Sequence, residues 1–156
     1  MFYRFCFTIP VLILSVGLTF AQEKQKTESN AVVQTLENYA AAVRSKDMAV
    51  VEKYVLTTDD FTMFEGGHIN WGWIDYRDHH LGPELKQFLE FKYGYHEIKP
   101  HVFGDIAYAT LKYDIAAKMK EREFSGQGLA TVVLVQQNGS WKIRHMHTSR
   151  IPKREH

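Results

Sequence analysis

The sequence is poor in cysteine and has no excess of charge of either sign, and both deficits exclude functions. Its single cysteine, Cys6, lies in the apolar segment at the start of the chain, so the rest offers no disulfide, thiolate nucleophile or thiolate metal ligand. Basic and acidic residues number 19 and 18, for a net charge of +1. Because nucleic-acid binding depends on an excess of basic side chains, we predict no nucleic-acid partner.

Internal repeats and low-complexity segments are also lacking, and the 156 residues suffice for one domain. The first 21 residues stand apart from that domain. Arg4 precedes an apolar run that ends at Ala21, an arrangement typical of a secretory signal peptide. We therefore predict a signal peptide in residues 1–21 and an exported protein, periplasmic or secreted, without membrane contact after cleavage. A single membrane anchor is the alternative, although the run is at the short limit for a span.

The remaining residues predict a flexible lead-in, one domain and a short tail. Residues 22–30 are polar, as flexible segments are, and residues 151–156 form the tail. Apolar residues recur at the spacing of helices in residues 31–45, 47–55 and 73–91. Alternation typical of strands is found in residues 61–65, 95–103, 105–119, 124–137 and 140–150. The segment "GGHINWG", residues 66–72, is interpreted as a loop.

This order of elements predicts an α+β fold for residues 31–150. Helices and a run of long strands that follow one another favour a cone-shaped, curved antiparallel sheet with three helices packed on its concave side. Asn138-Gly139 predicts a hairpin turn between the last two strands. Such a sheet leaves a pocket inside the cone, and we expect a small molecule to bind there.

The last strand, "SWKIRHMHTSR", determines which side chains enter that pocket. Successive side chains of a strand point to opposite faces. One face therefore carries Trp141, Ile143, His145 and His147. Because the first two are core residue types, both histidines are predicted to face the interior of the cone. The opposite face, with Arg144, Met146 and Thr148, is then exposed, and we predict a homodimer through this face of the sheet.

The element order and the ending W-x-x-x-H-x-H-x-S, completed by Ser149, resemble the nuclear transport factor 2-like superfamily, specifically its SnoaL-like branch. The ending is also similar to the association domain of calcium/calmodulin-dependent kinase II. The resemblance implies the cone fold but several functions, since members include isomerases, cyclases, dehydratases, epoxide hydrolases and non-catalytic oligomerisation or transport modules. Enzymes similar to ketosteroid isomerase use a pocket aspartate. Here Asp105 is at a turn and Asp114 is expected to face outward, which argues against that chemistry.

Histidines supply the candidate metal ligands. Cα atoms two residues apart on a strand are separated by about 6.6 Å, so His145 and His147 can converge on one ion. The segment "EGGHINWGWIDYRDHH", residues 65–80, adds His68 and His80. These four histidines predict a site for one divalent transition metal, Zn, Cu, Fe or Ni. Buried or surface histidines that need no cofactor are the alternative.

The same residues also predict an acid–base site. His145 is a candidate general base because the pKa of histidine lies near neutrality, and Tyr76 or a protonated Glu65 is the candidate acid. On a helix, His80 lies one turn after Tyr76 and on the same face. His79 and His80 differ by about 100° around that helix, so we expect only His80 to point inward. Candidate ligand contacts are Trp73, Tyr113 and Gln127.

Three functions remain open at this point. The first is an exported pocket protein that binds a small ligand, with or without a histidine-bound metal. The second is a cofactor-free lyase, isomerase or hydrolase that uses the histidine, tyrosine and glutamate side chains as acid and base. The third is a non-catalytic oligomerisation module that acts through its sheet face.

Overall fold

A computed structural model describes the backbone of residues 11–152 and the side chains of residues 22–152. The helices are Val11–Ser45 (α1), Met48–Val51 (α2, continued by a 3-10 turn over Glu52–Tyr54), Trp73–Tyr76 (α3) and Gly82–Gln87 (α4). The strands are Thr62–Glu65 (β1), His68–Trp71 (β2), Glu90–Phe103 (β3), Ile106–Lys118 (β4), Glu123–Gln137 (β5) and Ser140–Arg150 (β6). Within the described part of the chain, no helix has the length and apolar character needed to cross a membrane.

The six strands form one open sheet in the order β2-β1-β6-β5-β4-β3. Neighbouring strands are antiparallel except β1 and β6, which are parallel. The predicted α+β fold, a curved sheet with helices on one face, is therefore confirmed. The expectation of a wholly antiparallel sheet is wrong, because the short strand β1 adds to the free edge of the last strand, which lies far away in the sequence.

Strand β2 occupies the segment that the sequence analysis interprets as a loop. Gly66 and Gly67 have φ angles of 59° and 86° and form the tight turn that pairs β2 with β1. These positive φ angles favour glycine. Asn70 of β2 is buried, whereas Ile69 and Trp71 are exposed. A four-residue strand with a polar residue inside and apolar residues outside has no recognisable alternation pattern, which is why the sequence did not predict it.

Helix α1 includes residues 22–30, where a flexible lead-in was expected. Two long-range contacts hold this part of the helix against the sheet. Gln25 donates a hydrogen bond to the carbonyl of Val102 over 3.0 Å, and the Glu28 carboxylate accepts from Trp141 Nε1 over 2.9 Å. The predicted signal cleavage point after Ala21 lies inside α1, and residues 1–10 of the predicted signal peptide lie outside the described residues.

A π-helical turn, Arg77–Leu81, joins α3 to α4 just before Gly82-Pro83. Pro83 has no N–H to donate, and the N–H of Gly82 instead bonds to the carbonyl of Arg77, five residues earlier. A Cβ at Gly82 would lie 2.5 Å from that carbonyl oxygen, so the turn requires glycine. The helix therefore continues with one wider turn instead of breaking.

A β-bulge in β6 reverses the predicted facing of its second half. Val133 of β5 pairs with His145 and Leu134 pairs with Ile143, which leaves Arg144 without a partner. An extra residue in one strand shifts all later side chains to the opposite face. Trp141 and Ile143 face the core as predicted, but the next inward residues are Met146 and Thr148, which are buried.

The predicted exposure of Met146 and Thr148 is therefore wrong, and so is the prediction that His145 and His147 face the cone interior. Both histidines lie on the face of the sheet opposite the helices, which we call the outer face. There His145 joins a row of outward side chains that crosses all six strands. This row consists of Trp71, Thr62, His145, Val133, Tyr108 and His101.

Candidate functional site

A cavity of about 650 Å³ opens where β1 and β6 end. Its lining includes Glu65, His68, His80, Tyr113 and Arg150. Glu65 and His68 stand on either side of the β1–β2 turn, whereas Tyr113 comes from strand β4. The cavity thus brings together four of the predicted site residues. It combines two imidazoles, a carboxylate, a phenol and a guanidinium at one opening.

The π-helical turn presents His80, and not its neighbour, to this cavity. The His80 side chain is 13% exposed and that of His79 is 74% exposed, as the helical spacing predicted. The Tyr76 ring packs edge-on against His80 with centroids 5.3 Å apart. His79 instead hydrogen-bonds to Asp75 on the helix surface over 3.2 Å.

A chain of hydrogen bonds fixes the tautomer of His80. Asn70 donates through Nδ2 to the carboxylate of Asp75 over 3.0 Å. Because a carboxylate only accepts, this bond orients the amide and turns Oδ1 of Asn70 toward His80. Nδ1 of His80 lies 2.8 Å from that oxygen and must carry the proton. In neutral His80, Nε2 is then the unprotonated nitrogen, free to accept a proton.

Two carboxylates approach Nε2 of His80 from the cavity. Glu65 lies 3.8 Å away and Glu84 lies 3.9 Å away. Burial raises the pKa of Glu65, and the neighbouring His80 opposes that shift. A carboxyl with a raised pKa holds its proton more readily than an exposed one. The pair therefore places a proton acceptor and a potential proton donor within about 4 Å of each other.

Tyrosines form the interior wall behind His80. These tyrosines are Tyr39, Tyr76, Tyr93, Tyr95 and Tyr113. The hydroxyl of Tyr93 donates to that of Tyr95 over 3.0 Å, and Tyr95 donates to the sulfur of Met146 over 3.4 Å. Burial raises the pKa of all five phenols, so they are neutral hydrogen-bond donors. Tyr113 reaches the cavity because it lies across Gly128, where a Cβ would come within 2.2 Å of its ring.

Four predicted site residues lie elsewhere. Trp73 is buried in the core, where its Nε1 donates to Glu52 over 2.9 Å. Gln127 is on the outer face and donates to Asp114 over 2.8 Å. Nδ1 of His145 lies 2.6 Å from the hydroxyl of Thr62, also on the outer face. His147 is also on the outer face, although it contributes to the lining of the cavity.

The family model for the SnoaL-like domain matches residues 32–153. The chain belongs to the SnoaL-like family. It is similar to a nuclear transport factor 2-like superfamily protein from Salmonella enterica, with a TM-score of 0.76, 16% identity, and coverage of 82% of this chain and 94% of that one. A candidate scytalone dehydratase from Novosphingobium aromaticivorans matches with a TM-score of 0.74, 12% identity, and coverage of 84% and 89%.

The CaMKII hub of S. rosetta matches this SnoaL-like domain with a TM-score of 0.62, 21% identity, and coverage of 79% and 96%. The predicted resemblance to both groups is thereby confirmed. All three identities are low and show a shared fold only. No curated protein matches the chain.

The histidines of this SnoaL-like domain do not fit the predicted metal site. His68 and His80 lie at the cavity with ring centroids 5.9 Å apart, whereas His145 and His147 are on the outer face. Among residues 22–152, no group of three or more His, Cys, Asp or Glu side chains is placed to hold a metal ion. The four histidines are therefore not gathered at one point, and metal binding stays a prediction from the sequence.

Asn70, Glu84 and Arg150 are site residues that were not predicted from the sequence. Asn70 was hidden in the segment interpreted as a loop. Arg150 was overlooked because it ends a strand at the predicted tail. After the bulge, Arg150 lies on the same face of the strand as Met146 and Thr148 and therefore points inward. No residue pattern in the sequence indicates that bulge.

Proposed function

We propose that this SnoaL-like domain binds a small organic molecule in the cavity and uses His80 as a general base. The observation that carries the proposal is the chain from Asp75 through Asn70 to His80, which leaves Nε2 unprotonated beside Glu65. A base positioned in this way can remove a proton from carbon or oxygen, and a protonated Glu65 or the Tyr113 hydroxyl can deliver one. Elimination, isomerisation and hydrolysis all use such a pair.

The fold supports this class of reaction without deciding it. A candidate dehydratase shares the fold at low identity, and elimination of water needs an acid and a base but no cofactor. The acid–base site here differs from the one predicted, because His80 takes the place assigned to His145. Glu65 and Tyr76 keep places beside the base.

Proton exchange tests the proposal without knowledge of the substrate. A panel of small ketones, hydroxyketones and lactones is incubated with the protein in D2O, and deuterium incorporation next to the carbonyl is followed by NMR. We expect exchange of at least one compound, lost on His80→Gln and retained on His79→Gln, the adjacent exposed histidine. Compounds that bind equally to all three proteins without protein-dependent exchange would contradict the catalytic role and leave a binding module.

We propose in addition that the outer face of the sheet pairs with a second copy. Large apolar side chains are exposed there on β2, β3, β4 and β5, namely Trp71, Phe103, Ile106, Tyr108 and Leu129. Exposed apolar groups that form one contiguous surface mark interaction sites. The six strands, at about 4.8 Å spacing, span about 24 Å, which is wide enough for the roughly 800 Å² per partner of a standard interface.

Two further predictions from the sequence, export and metal binding, can each be tested separately. Export with cleavage after Ala21 predicts that the protein recovered from the periplasm or medium begins at Gln22, as mass spectrometry would show. Binding of a transition metal predicts about one equivalent in elemental analysis of that protein, made without a His tag.

A further inference from the structure

The cavity extends past His80 to a pair of arginines that the proposed acid–base chemistry does not use. Beside the main cavity lies a smaller one of about 200 Å³, whose lining includes Arg122 and Arg150. The two cavities share Glu84, Phe124 and Arg150. A ligand in the main cavity can therefore reach both guanidinium groups.

An aromatic ring positions both arginines. The guanidinium carbon of Arg150 lies 5.4 Å from the centroid of Phe124, and that of Arg122 lies 5.8 Å from it. Cation–π contacts of this length orient a guanidinium. Phe124 is itself held edge-on by Phe88, with centroids 6.0 Å apart. Stacking occupies the flat face of a guanidinium and leaves its N–H groups free to donate.

Neither arginine forms an ion pair with a carboxylate of the described residues. In contrast, Arg77 pairs with Glu52 and Asp78, and Arg144 pairs with Asp60. Arg122 donates only to the sulfur of Met119, over 3.0 Å. A stacked guanidinium that opens onto a cavity and has no internal partner is suited to bind a carboxylate through two parallel hydrogen bonds.

We propose that the ligand of this cavity carries a carboxylate, which Arg150 and Arg122 bind while the reactive part of the molecule lies against His80. This inference rests on the proposed function, since it names the substrate class for the same cavity. The smaller cavity is lined by two positive charges and one carboxylate, Glu84. The carboxyl of Glu65, which also interacts with the charge of Arg150, lines only the main cavity. The arginines are binding residues and take no part in the proton transfer.

Benzoate and benzamide, which differ in charge but hardly in shape, test the inference by NMR titration of the 15N-labelled protein. We expect benzoate to shift the signals of Arg150 and His80 and benzamide to bind at least about tenfold more weakly, as the loss of one charged hydrogen bond implies. Arg150→Gln should weaken benzoate binding by a similar factor and Arg122→Gln by less. Arg144→Gln, on the outer face and paired with Asp60, is the matched control and should leave the affinity unchanged.

Equal affinities for the two probes, an unchanged benzoate affinity in Arg150→Gln, or the absence of benzoate binding at this cavity would each overturn the inference. These outcomes are distinguishable from failure of the proposed function. If His80 is not a base, His80→Gln still binds benzoate and proton exchange is absent. If the arginines do not select a carboxylate, proton exchange on neutral ketones persists in Arg150→Gln.

Discussion

At the scale of single residues, the proposed function depends on which nitrogen of His80 carries the proton. Free imidazole in water can exchange between two tautomers, so a histidine that always offers the same nitrogen must be held by a partner. Asn70 is that partner, and Asp75 holds Asn70 in turn. The proposed base thus depends on two residues that do not line the cavity, and its tautomer can be tested without a substrate.

Asn70→Ala is expected to release His80 from this single tautomer. In the unaltered protein, 15N–1H correlation spectra at neutral pH should show His80 protonated at Nδ1, because Asn70 accepts there over 2.8 Å. In the variant, the Nε2-protonated form should gain a large share. Asn38→Ala, on the surface of α1, serves as the control. A His80 already protonated mainly at Nε2 in the unaltered protein would contradict the hydrogen-bond chain.

Glu65→Gln is expected to stabilise the protein at neutral pH. Burial raises the pKa of Glu65 above its ordinary value of 4.5. Above that pH, ionisation of Glu65 therefore costs more free energy in the folded state than in the unfolded state. The variant removes this cost, and the gain should vanish as the pH falls below about 4.5, where both states hold the proton. Its side chain is 37% exposed, so solvent screening limits the rise in melting temperature to about 2 °C.

Calorimetric melting at several pH values measures this effect. Glu84→Gln, which replaces the other carboxylate near His80, is the control and should change the melting temperature less. A variant that is less stable than the unaltered protein at neutral pH would show that the charge of Glu65 is favourable in the fold.

At the scale of elements, the sequence predicted each long strand but not the facing of the last one. Alternation correctly assigned Trp141 and Ile143 to the core, because they precede the bulge at Arg144. A bulge changes parity without changing residue type, so His145 and His147 were placed on the wrong face. On the helix, spacing alone sufficed to select His80 over His79. The π-helical turn begins only after Tyr76, and the Tyr76 ring still contacts His80, four residues later.

Gly128→Ala is expected to force Tyr113 out of its position at the cavity. The added Cβ would lie 2.2 Å from the Tyr113 ring, and overpacking of this kind typically costs about 1–3 kcal/mol. Gly126→Ala, two residues earlier in β5, adds the same methyl group where nothing lies within 4 Å, and it should cost much less. Urea denaturation of both variants measures the difference in the free energy of unfolding.

Tyr113→Ala introduced together with Gly128→Ala provides the decisive comparison. If the ring is the obstacle, the double variant should lose less stability than the sum of the two single variants. Strictly additive losses would mean that the glycine is needed for a backbone reason and not for the ring above it.

At the scale of the whole molecule, the two faces of the sheet differ in what they can bind. The inner face, with its helices, encloses the tyrosines and the cavity. The outer face carries aromatic and aliphatic side chains between histidines. A pocket on one face and an interface on the other were both predicted from the sequence. The residues of β6 after the bulge, however, were each assigned to the wrong face. Met146 and Thr148 belong to the inner face, so Met146→Glu would damage the core and is not a test of dimerisation.

Leu129→Arg is the appropriate test of the dimer. Leu129 lies on the outer face of β5 and is 47% exposed, whereas Ile74 lies on helix α3, away from that face, and is 50% exposed. If a second copy covers the outer face, the arginine at position 129 buries an unpaired charge, and light scattering should show the mass of two chains fall to that of one. Ile74→Arg introduces the same charge at equal exposure and should leave the mass unchanged. A single-chain mass in the unaltered protein, or equal behaviour of the two variants, would show that the outer face does not pair with a second copy. Proton exchange should persist in monomeric Leu129→Arg, because Glu65 and Tyr113 lie on the inner face of the sheet, opposite Leu129.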